Sequence, residues 1–246
     1  MMKPPEKISV IMPVHNEKGK VAESVGRVSA FMEKFSPDFE IIIVDDGSGP
    51  ETRGVLEKLA KKNSRLKVLY NEKNFGKGYS VKRGALASNG KYVLFTDADL
   101  SAPISQVKKL MQYSDGGFDV VIGSRLMPDS KITVSQSFHR GIFGYLFRIL
   151  TNLLIINGLS DTQCGFKLFK NGTVKKIFAK QTLDGFAFDV ELLLIAKSNG
   201  MKIKEVGVEW GDYRKSQLNI FNAPISMFAD LIRIKRNSIR GIYRID

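Results

Sequence analysis

The chain has 246 residues, of which 43% are hydrophobic, 26% charged and 10% aromatic, an ordinary globular composition that excludes a disordered chain, a collagen-like fibre or a disulfide miniprotein. The single cysteine, Cys164, allows no internal disulfide, fits a reducing compartment and speaks against a Cys-rich zinc site. The net charge of +13 points to an anionic partner: nucleic acid, a phosphorylated substrate or an acidic membrane surface.

Residues 8–13 (ISVIMP) are a short apolar run ending at a proline, which predicts a buried strand. Residues 17–35 carry helical spacing, with Val21, Val25, Val28 and Met32 on one stripe. The β-branched run 40–44 (EIIIV) stops at Asp45-Asp46-Gly47-Ser48, a turn signature. A helix follows to about Lys62, then a strand at 66–70, a loop at 71–78 and a helix around 79–88. The strand 92–96 ends at Asp97-Ala98-Asp99, and a helix at 104–113 and a strand at 119–122 complete the alternation. Continuous apolar strands alternating with helices predict an α/β fold, a mostly parallel sheet with helices on both faces.

Farther on, 138–157 read as an unusually apolar helix flanked by His139-Arg140, and 161–169 as loop then strand. An apolar helix at 186–198 holds Asp189 and Glu191, residues 203–210 alternate like a strand, and 225–245 mix apolar residues with Arg233, Lys235, Arg236, Arg240 and Arg244. No repeat or low-complexity linker intervenes, so 1–124 and 125–246 are expected to be two halves of one continuous domain. The first half holds 19 basic and 15 acidic residues and the second 19 and 10, so most of the positive excess lies in the second. No signal-peptide pattern precedes the first strand. The apolar stretch 142–157, interrupted by Arg148 and Asn152, falls short of the ~20 residues that span a bilayer.

In parallel sheets, ligands bind beyond the carboxyl ends of the strands. The polar clusters gather there: His15-Asn16-Glu17, Asp45-Asp46, Asp97-Ala98-Asp99 and Ser124-Arg125. Asp97 and Asp99, two residues apart, suit one hard divalent cation that shares phosphate oxygens; Asp99 or Ser101 equally suits a helix N-cap before Pro103. Asp46 suits a base or ribose contact, or simply a turn. Asn74-Phe75-Gly76-Lys77-Gly78 lacks the spacing of a Walker loop, and Gly76 and Gly84 read as close-packing glycines. Arg125 and Arg140 could clamp phosphate. Asp189 and Glu191 are costly to bury unpaired, so each needs either a site role or a basic partner. His15 and His139 are the only histidines, too few for a His-rich metal site.

Taken together, the chain resembles the inverting family-two glycosyltransferases with a GT-A (Rossmann-like) fold. The motifs are Pro13-Val14-His15-Asn16-Glu17, Asp45-Asp46-Gly47-Ser48, Asn74-Phe75-Gly76-Lys77-Gly78, Asp97-Ala98-Asp99 and Gly123-Ser124-Arg125. Asp161-Thr162-Gln163-Cys164-Gly165-Phe166-Lys167-Leu168-Phe169 and Phe186-Ala187-Phe188-Asp189-Val190-Glu191-Leu192-Leu193 look like the dolichyl-phosphate β-glucosyltransferases, with the dolichyl-phosphate mannose synthases next. The resemblance implies a nucleotide-diphosphate sugar, UDP-glucose or GDP-mannose, lined by Pro13, His15 and Glu17, with Val44 and Asp46 at the base. It implies Mg²⁺ or Mn²⁺ on Asp97 and Asp99, with Ala98 and Ser101 beside them, and a polyprenyl (dolichyl) phosphate met by Arg125, Arg140 and Arg214, which makes 1–124 the nucleotide-sugar-binding half and 125–246 the acceptor-binding half with candidate membrane-interface helices.

The chain departs from these groups at Ser101, where mannose synthases carry Gln, and at Ser216-Gln217-Leu218, where both groups have Ser-Lys-Leu and where Arg214 or Lys215 could substitute. The N-terminal anchor of eukaryotic glucosyl enzymes is not seen in the sequence. The expected catalytic residues are Asp99, Arg125 and, for a saccharide hydroxyl acceptor needing a base, Asp189. The lipid acceptor implies a peripheral position on the cytoplasmic face of a membrane, with 138–157 and the basic C-terminal stretch as interfacial helices. A nucleic-acid partner is disfavoured: there is no zinc-finger spacing, RNP motif or long basic helix.

Overall fold

A computed structural model describes residues 6–135, 138–213 and 222–245, without the side chains of 138–140 and 222–225. The elements run β1 (Ile8–Val14), α1 (Val21–Phe35), β2 (Phe39–Asp45), α2 (Pro50–Lys62), β3 (Leu66–Tyr70), α3 (Lys77–Leu86), β4 (Tyr92–Thr96), α4 (Val107–Asp115) and β5 (Val120–Ser124). There follow β6 (Lys131–Val134), α5 (Phe138–Leu154), β7 (Phe166–Lys170), α6 (Asn171–Lys180), α7 (Phe188–Ser198), β8 (Ile203–Gly207), β9 (Glu209–Gly211) and α8 (Asn222–Ile239). The seven-stranded sheet has the order β3-β2-β1-β4-β7-β5-β8. All its neighbours pair parallel except β7, which lies antiparallel between β4 and β5. The α/β class and the GT-A-like, mostly parallel sheet are as expected.

Strand pleating explains why these runs are apolar throughout. On β1, Ile8, Val10, Met12 and Val14 join the core under α1, α2 and α4, while Ile11 joins the core under α3, α5, α6, α7 and α8. Both faces are covered, so alternate residues each enter a core. Each fully buried Val, Ile or Phe is worth about 1.5–3 kcal/mol of transfer free energy. On α1, Val21, Val25, Val28 and Met32 form the buried stripe.

Four differences from the sequence reading have local causes. Residues 17–20 form a turn in which the Glu17 carbonyl accepts from the Lys20 and Val21 amides, so α1 starts later than the periodicity suggested. The 104–113 helix opens with a 3-10 turn, Ile104–Gln106. The run 203–210 is two strands: β8 stays in the large sheet, whereas β9 leaves it to pair with β6. Helix α6, absent from the sequence reading, buries Val174, Ile177 and Phe178. Among the described residues, no helix is long and apolar enough to cross a membrane.

The antiparallel β7 matters most for function. Its register puts Phe166 opposite Thr96, so its first residue lies at the rim where β4 ends. The 161–165 loop is thereby delivered beside Asp97, and a second-half strand is built between two first-half strands.

Candidate active site

The first wall of the site forms where β1 and β2 end. Asn16 adopts a left-handed conformation (φ 56°); its amide donates to Ser48 Oγ (2.9 Å) and its side-chain oxygen accepts from the Gly49 amide (3.0 Å). His15 Nδ1 donates to the Asp46 carbonyl (2.8 Å) and the ring is exposed. Pro13 and Glu17 are half-buried beside it.

Two residues expected at the base of this wall are buried. The Val44 side chain is fully buried in the core, where a Cβ on Gly84 would lie 3.1 Å from it, so it faces the core rather than the rim. Asp46 is also buried. One of its oxygens accepts from Asn71 Nδ2 (2.8 Å) and the Phe75 amide (3.0 Å), the other from the Gly76 amide (2.9 Å). Asp46 therefore shapes the rim through the loop it holds rather than by an open carboxylate. Asp45, fully buried, pairs with Arg53 (3.1 Å).

The second wall is the turn after β4. Asp99 Oδ1 accepts from both the amide (2.9 Å) and hydroxyl (2.8 Å) of Ser101, and Leu100 is left-handed (φ 49°), a strained conformation of a kind that clusters at functional sites. The helix-cap alternative fails: the 3-10 turn starts only at Ile104 and has no side-chain cap. Asp97 is ion-paired to Lys77 (2.6 Å), and its amide donates to the Gly165 carbonyl (3.1 Å). A Cβ on Gly165 would overlap the Asp97 carboxylate, so only glycine leaves room for it there. Ala98 and Ser101 are buried beneath.

The donor set of this turn is two carboxylates and a hydroxyl, with space kept open by Gly165. Such hard oxygen ligands fit Mg²⁺ or Mn²⁺, which commonly take one or two carboxylates and complete their shell with phosphate oxygens and water. Among the described residues, no group of three or more His, Cys, Asp or Glu is arranged to hold a metal by itself.

A cleft of about 540 Å³ opens beyond Asp97, with Lys77, Arg125, Arg148, Asp161 and Asp189 among its polar lining and Ile132, Phe143, Phe147, Trp210 and Phe228 among its apolar lining. Asp97, Arg125 and Asp189 meet here, whereas Pro13, His15, Glu17, Asp46, Asp99 and Ser101 lie outside it. Arg125 is gripped by Asp161 through Nε and Nη2, both at 2.7 Å, and its own amide donates to the same carboxylate (2.9 Å). Burial disfavours both charges, but the pairing outweighs it: Arg125 is held above its ordinary pKa and Asp161 below. Arg125 also lies over the Trp210 ring, 5.3 Å from its centroid.

Asp189 is paired with the fully buried Lys167 (2.6 Å), whose ammonium also donates to the Cys164 carbonyl (2.6 Å). Burial pushes the Asp189 carboxyl up, against the pull of Lys167 and Lys77. Of the two alternatives left for the acidic residues of 186–198, Asp189 thus has a basic partner and also lines the cleft. Glu191 has a structural place, accepting from the Thr182 amide and hydroxyl, the Leu183 amide and the Tyr243 hydroxyl. Cys164 is fully buried and its thiol pushed up to about 12 by burial, which leaves it unreactive. The backbone of Arg140 is in α5, but its side chain lies outside the described residues, as do Arg214, Lys215 and the 216–218 segment.

The sequence model of glycosyl transferase family 2 matches residues 9–178, a span that runs from β1 through β2 and the Asp97–Asp99 turn to β7. The chain belongs to glycosyl transferase family 2. This family-2 glycosyltransferase is 36% identical to a dolichyl-phosphate β-glucosyltransferase of Dictyostelium discoideum, over 97% of the chain and 76% of that protein. It is 33% identical to the enzyme of the same name from Saccharomyces cerevisiae, over 96% of the chain and 76% of that protein. Among solved structures it superposes on Mycobacterium tuberculosis glucosyl-3-phosphoglycerate synthase in complex with Mn²⁺, UDP-glucose and phosphoglyceric acid, with a TM-score of 0.71 and 19% identity, covering 94% of this chain and 80% of that one. That likeness supports the GT-A fold.

Three charged residues that line the transferase's cleft, Lys77, Arg148 and Asp161, and the buried Lys167 that pairs with Asp189 beside it, were not among the expected site residues. Lys77 and Lys167 sit inside motifs singled out on other grounds, but a lysine's buried partner has no sequence signal. Arg148 registered only as an interruption of an apolar run, which is itself the signal that α5 turns one charged side chain toward the cleft.

Proposed function

We propose that the enzyme moves glucose from UDP-glucose to a polyprenyl phosphate of the dolichyl type, with inversion at the anomeric carbon and a divalent cation, Mg²⁺ or Mn²⁺, held by Asp97 and Asp99. The observation that carries this reading is the two-natured cleft, with Lys77, Asp97, Arg125 and Arg148 lining it beside Phe143, Phe147 and Phe228. A saccharide acceptor needs hydrogen-bonding walls; an isoprenoid chain on a phosphate needs an apolar wall leading to cations. The names of the curated relatives support the sugar and the acceptor, and the Mn²⁺ and UDP-glucose complex of the fold neighbour supports the donor and the metal. No observation favours GDP-mannose.

A phosphate monoester is largely ionised near pH 7, so its oxygen can attack the anomeric carbon without a strong base. The new bond forms on the face opposite the nucleoside diphosphate, which leaves with the bonding pair. Arg125 and Arg148 hold and orient the acceptor phosphate, and the apolar walls exclude water that would hydrolyse the donor. When bound, the divalent cation neutralises the charge that develops on the diphosphate. Asp189, engaged by Lys167, contributes charge and shape to the cleft floor rather than proton abstraction.

The same reading puts the enzyme on the cytoplasmic face of a membrane as a peripheral protein. On α5, Ile142, Phe143, Tyr145, Leu146, Leu153 and Leu154 are exposed, and on α8 Ile232 and Ile239 are 70% and 77% exposed beside outward-facing Lys235 and Arg236. Apolar and cationic side chains on one surface suit an anionic bilayer interface. The decisive assay incubates the enzyme with a panel of UDP- and GDP-sugars and a short polyprenyl phosphate. Lipid-linked glucose from UDP-glucose is expected; transfer to a saccharide hydroxyl with no lipid-linked product would overturn the acceptor.

A further inference from the structure

The lysine that opens α3 occupies the carboxylate assigned to the metal. Lys77 Nζ lies 2.6 Å from Asp97 Oδ1, and the second pair, Lys167 and Asp189, is equally close. Both ammonium groups lie within 6.0 Å of the Phe95 ring centroid, and the Asp189 carboxyl is close enough to feel both Lys77 and Asp97, so the two ion pairs form one cluster of two basic and two acidic side chains beside the cleft. The backbone that carries Lys77 is fixed. Gly76 before it has φ 111° and is packed so tightly that a Cβ would overlap the Asp184 carbonyl, which leaves side-chain rotation as the way for Lys77 to move.

A balanced cluster of this kind resists a bare divalent cation, since two further positive charges would sit a few ångströms from the Lys77 ammonium in a poorly solvated cleft. A cation arriving with a diphosphate is different: the phosphates balance the new charge and offer Lys77 another partner. We propose that Lys77 is a resident cation that guards Asp97, yielding it to the metal only when a nucleoside diphosphate supplies a replacement anion. Lys77 is thus a positioning residue that makes metal and donor bind cooperatively. The inference rests on the metal reading above. By linkage, the factor by which the nucleotide tightens the metal is the factor by which the metal tightens the nucleotide.

The test is Mn²⁺ binding by the full chain, followed by the electron paramagnetic resonance signal of free Mn²⁺, with and without UDP. Wild type should bind Mn²⁺ weakly alone and at least about tenfold more tightly with UDP, within the usual range of coupling. Lys77→Met and Lys77→Gln should each bind Mn²⁺ alone about tenfold more tightly than wild type, and lose a matching part of the UDP enhancement. The two variants, checked for folding by circular dichroism, guard against one failing to fold. Lys73→Met, which removes an exposed charge four residues away, should behave as wild type. Unchanged Mn²⁺ affinity in both Lys77 variants, or equal tightening by Lys73→Met, would overturn the proposal while wild-type Mn²⁺ binding left the metal reading standing. Wild type that binds no Mn²⁺ even with UDP would overturn both.

Discussion

Asp161 shows how one side chain can organise a site by holding a neighbouring charge. Its carboxylate grips the Arg125 guanidinium at two points and the Arg125 amide at a third, while its own amide and that of Ser160 donate to Glu205 (2.7 and 2.8 Å). A buried pair of this geometry is strongly destabilised when one partner is removed, because the other charge is left without compensation. Asp161→Ala is therefore expected to lower stability by about 3–5 kcal/mol and to cut transfer at a temperature where the variant is still folded, checked by urea denaturation and by assay of lipid-linked product. The pH dependence has a definite sign. The Asp161 carboxyl is held below its ordinary value of 3.8, so the pair's contribution is complete above that value and is lost as pH falls through the lower native one. Wild-type unfolding followed through the acid range should lose this contribution, and Asp161→Asn should flatten that part of the profile.

At the scale of elements, a buried hydrogen-bonded hub ties α7 and the C-terminal turn to the loop that abuts the α3 N-terminus. Glu191 on α7 accepts from Thr182, Leu183 and Tyr243, and Asn237 on α8 donates to Thr182 Oγ1 and the Tyr243 hydroxyl. The next residues, Asp184 and Gly185, pack against Gly76 and Gly78, so α8 and the Lys77 segment share one support. Removing a carboxylate that satisfies the buried Leu183 amide, the part-buried Thr182 amide and the Tyr243 hydroxyl leaves donors orphaned at about 1–3 kcal/mol for each that is buried. Glu191→Ala should therefore lose several kcal/mol and show faster hydrogen exchange at 182–185 and in α8. Tyr243→Phe, which removes one donor from the same carboxylate, should cost only about 1–3 kcal/mol; equal effects from the two would argue against a hub.

For the whole molecule, α5 exposes Ile142, Phe143, Tyr145, Leu146, Leu153 and Leu154 and α8 exposes Ile232 and Ile239, a concentration of large apolar side chains of the kind that marks interaction sites. Burying one exposed isoleucine at an interface is worth about 1.5–3 kcal/mol. The double variant Ile232→Asp, Ile239→Asp should thus weaken flotation with anionic vesicles by at least about tenfold, while UDP binding stays at the wild-type level, because both side chains are exposed on α8 and neither lines the cleft. Unchanged flotation would remove α8 from the membrane contact.

Much of this enzyme is written locally. Alternating apolar strands and helical stripes follow from which residues must be buried, and burial on both faces makes a strand apolar throughout. Strands 66–70 and 92–96, the turn at Asp45-Asp46-Gly47-Ser48 and the polar rim at Asp97–Asp99 were therefore readable in the sequence, as was the close-packing role of Gly76 and Gly84. The position of β7 was not: a strand's neighbours depend on pairing with distant segments, and nothing within residues 166–170 specifies that they pair antiparallel between β4 and β5. That insertion brings Gly165 against Asp97 and Asp161 against Arg125. It likewise sets Lys167 on Asp189, beside the Lys77–Asp97 pair. The sequence by itself determined which chemical groups the site would contain. The tertiary structure alone decided which charges neutralise one another, because an ion pair is a property of distance in space, and here its partners lie up to 36 residues apart along the chain.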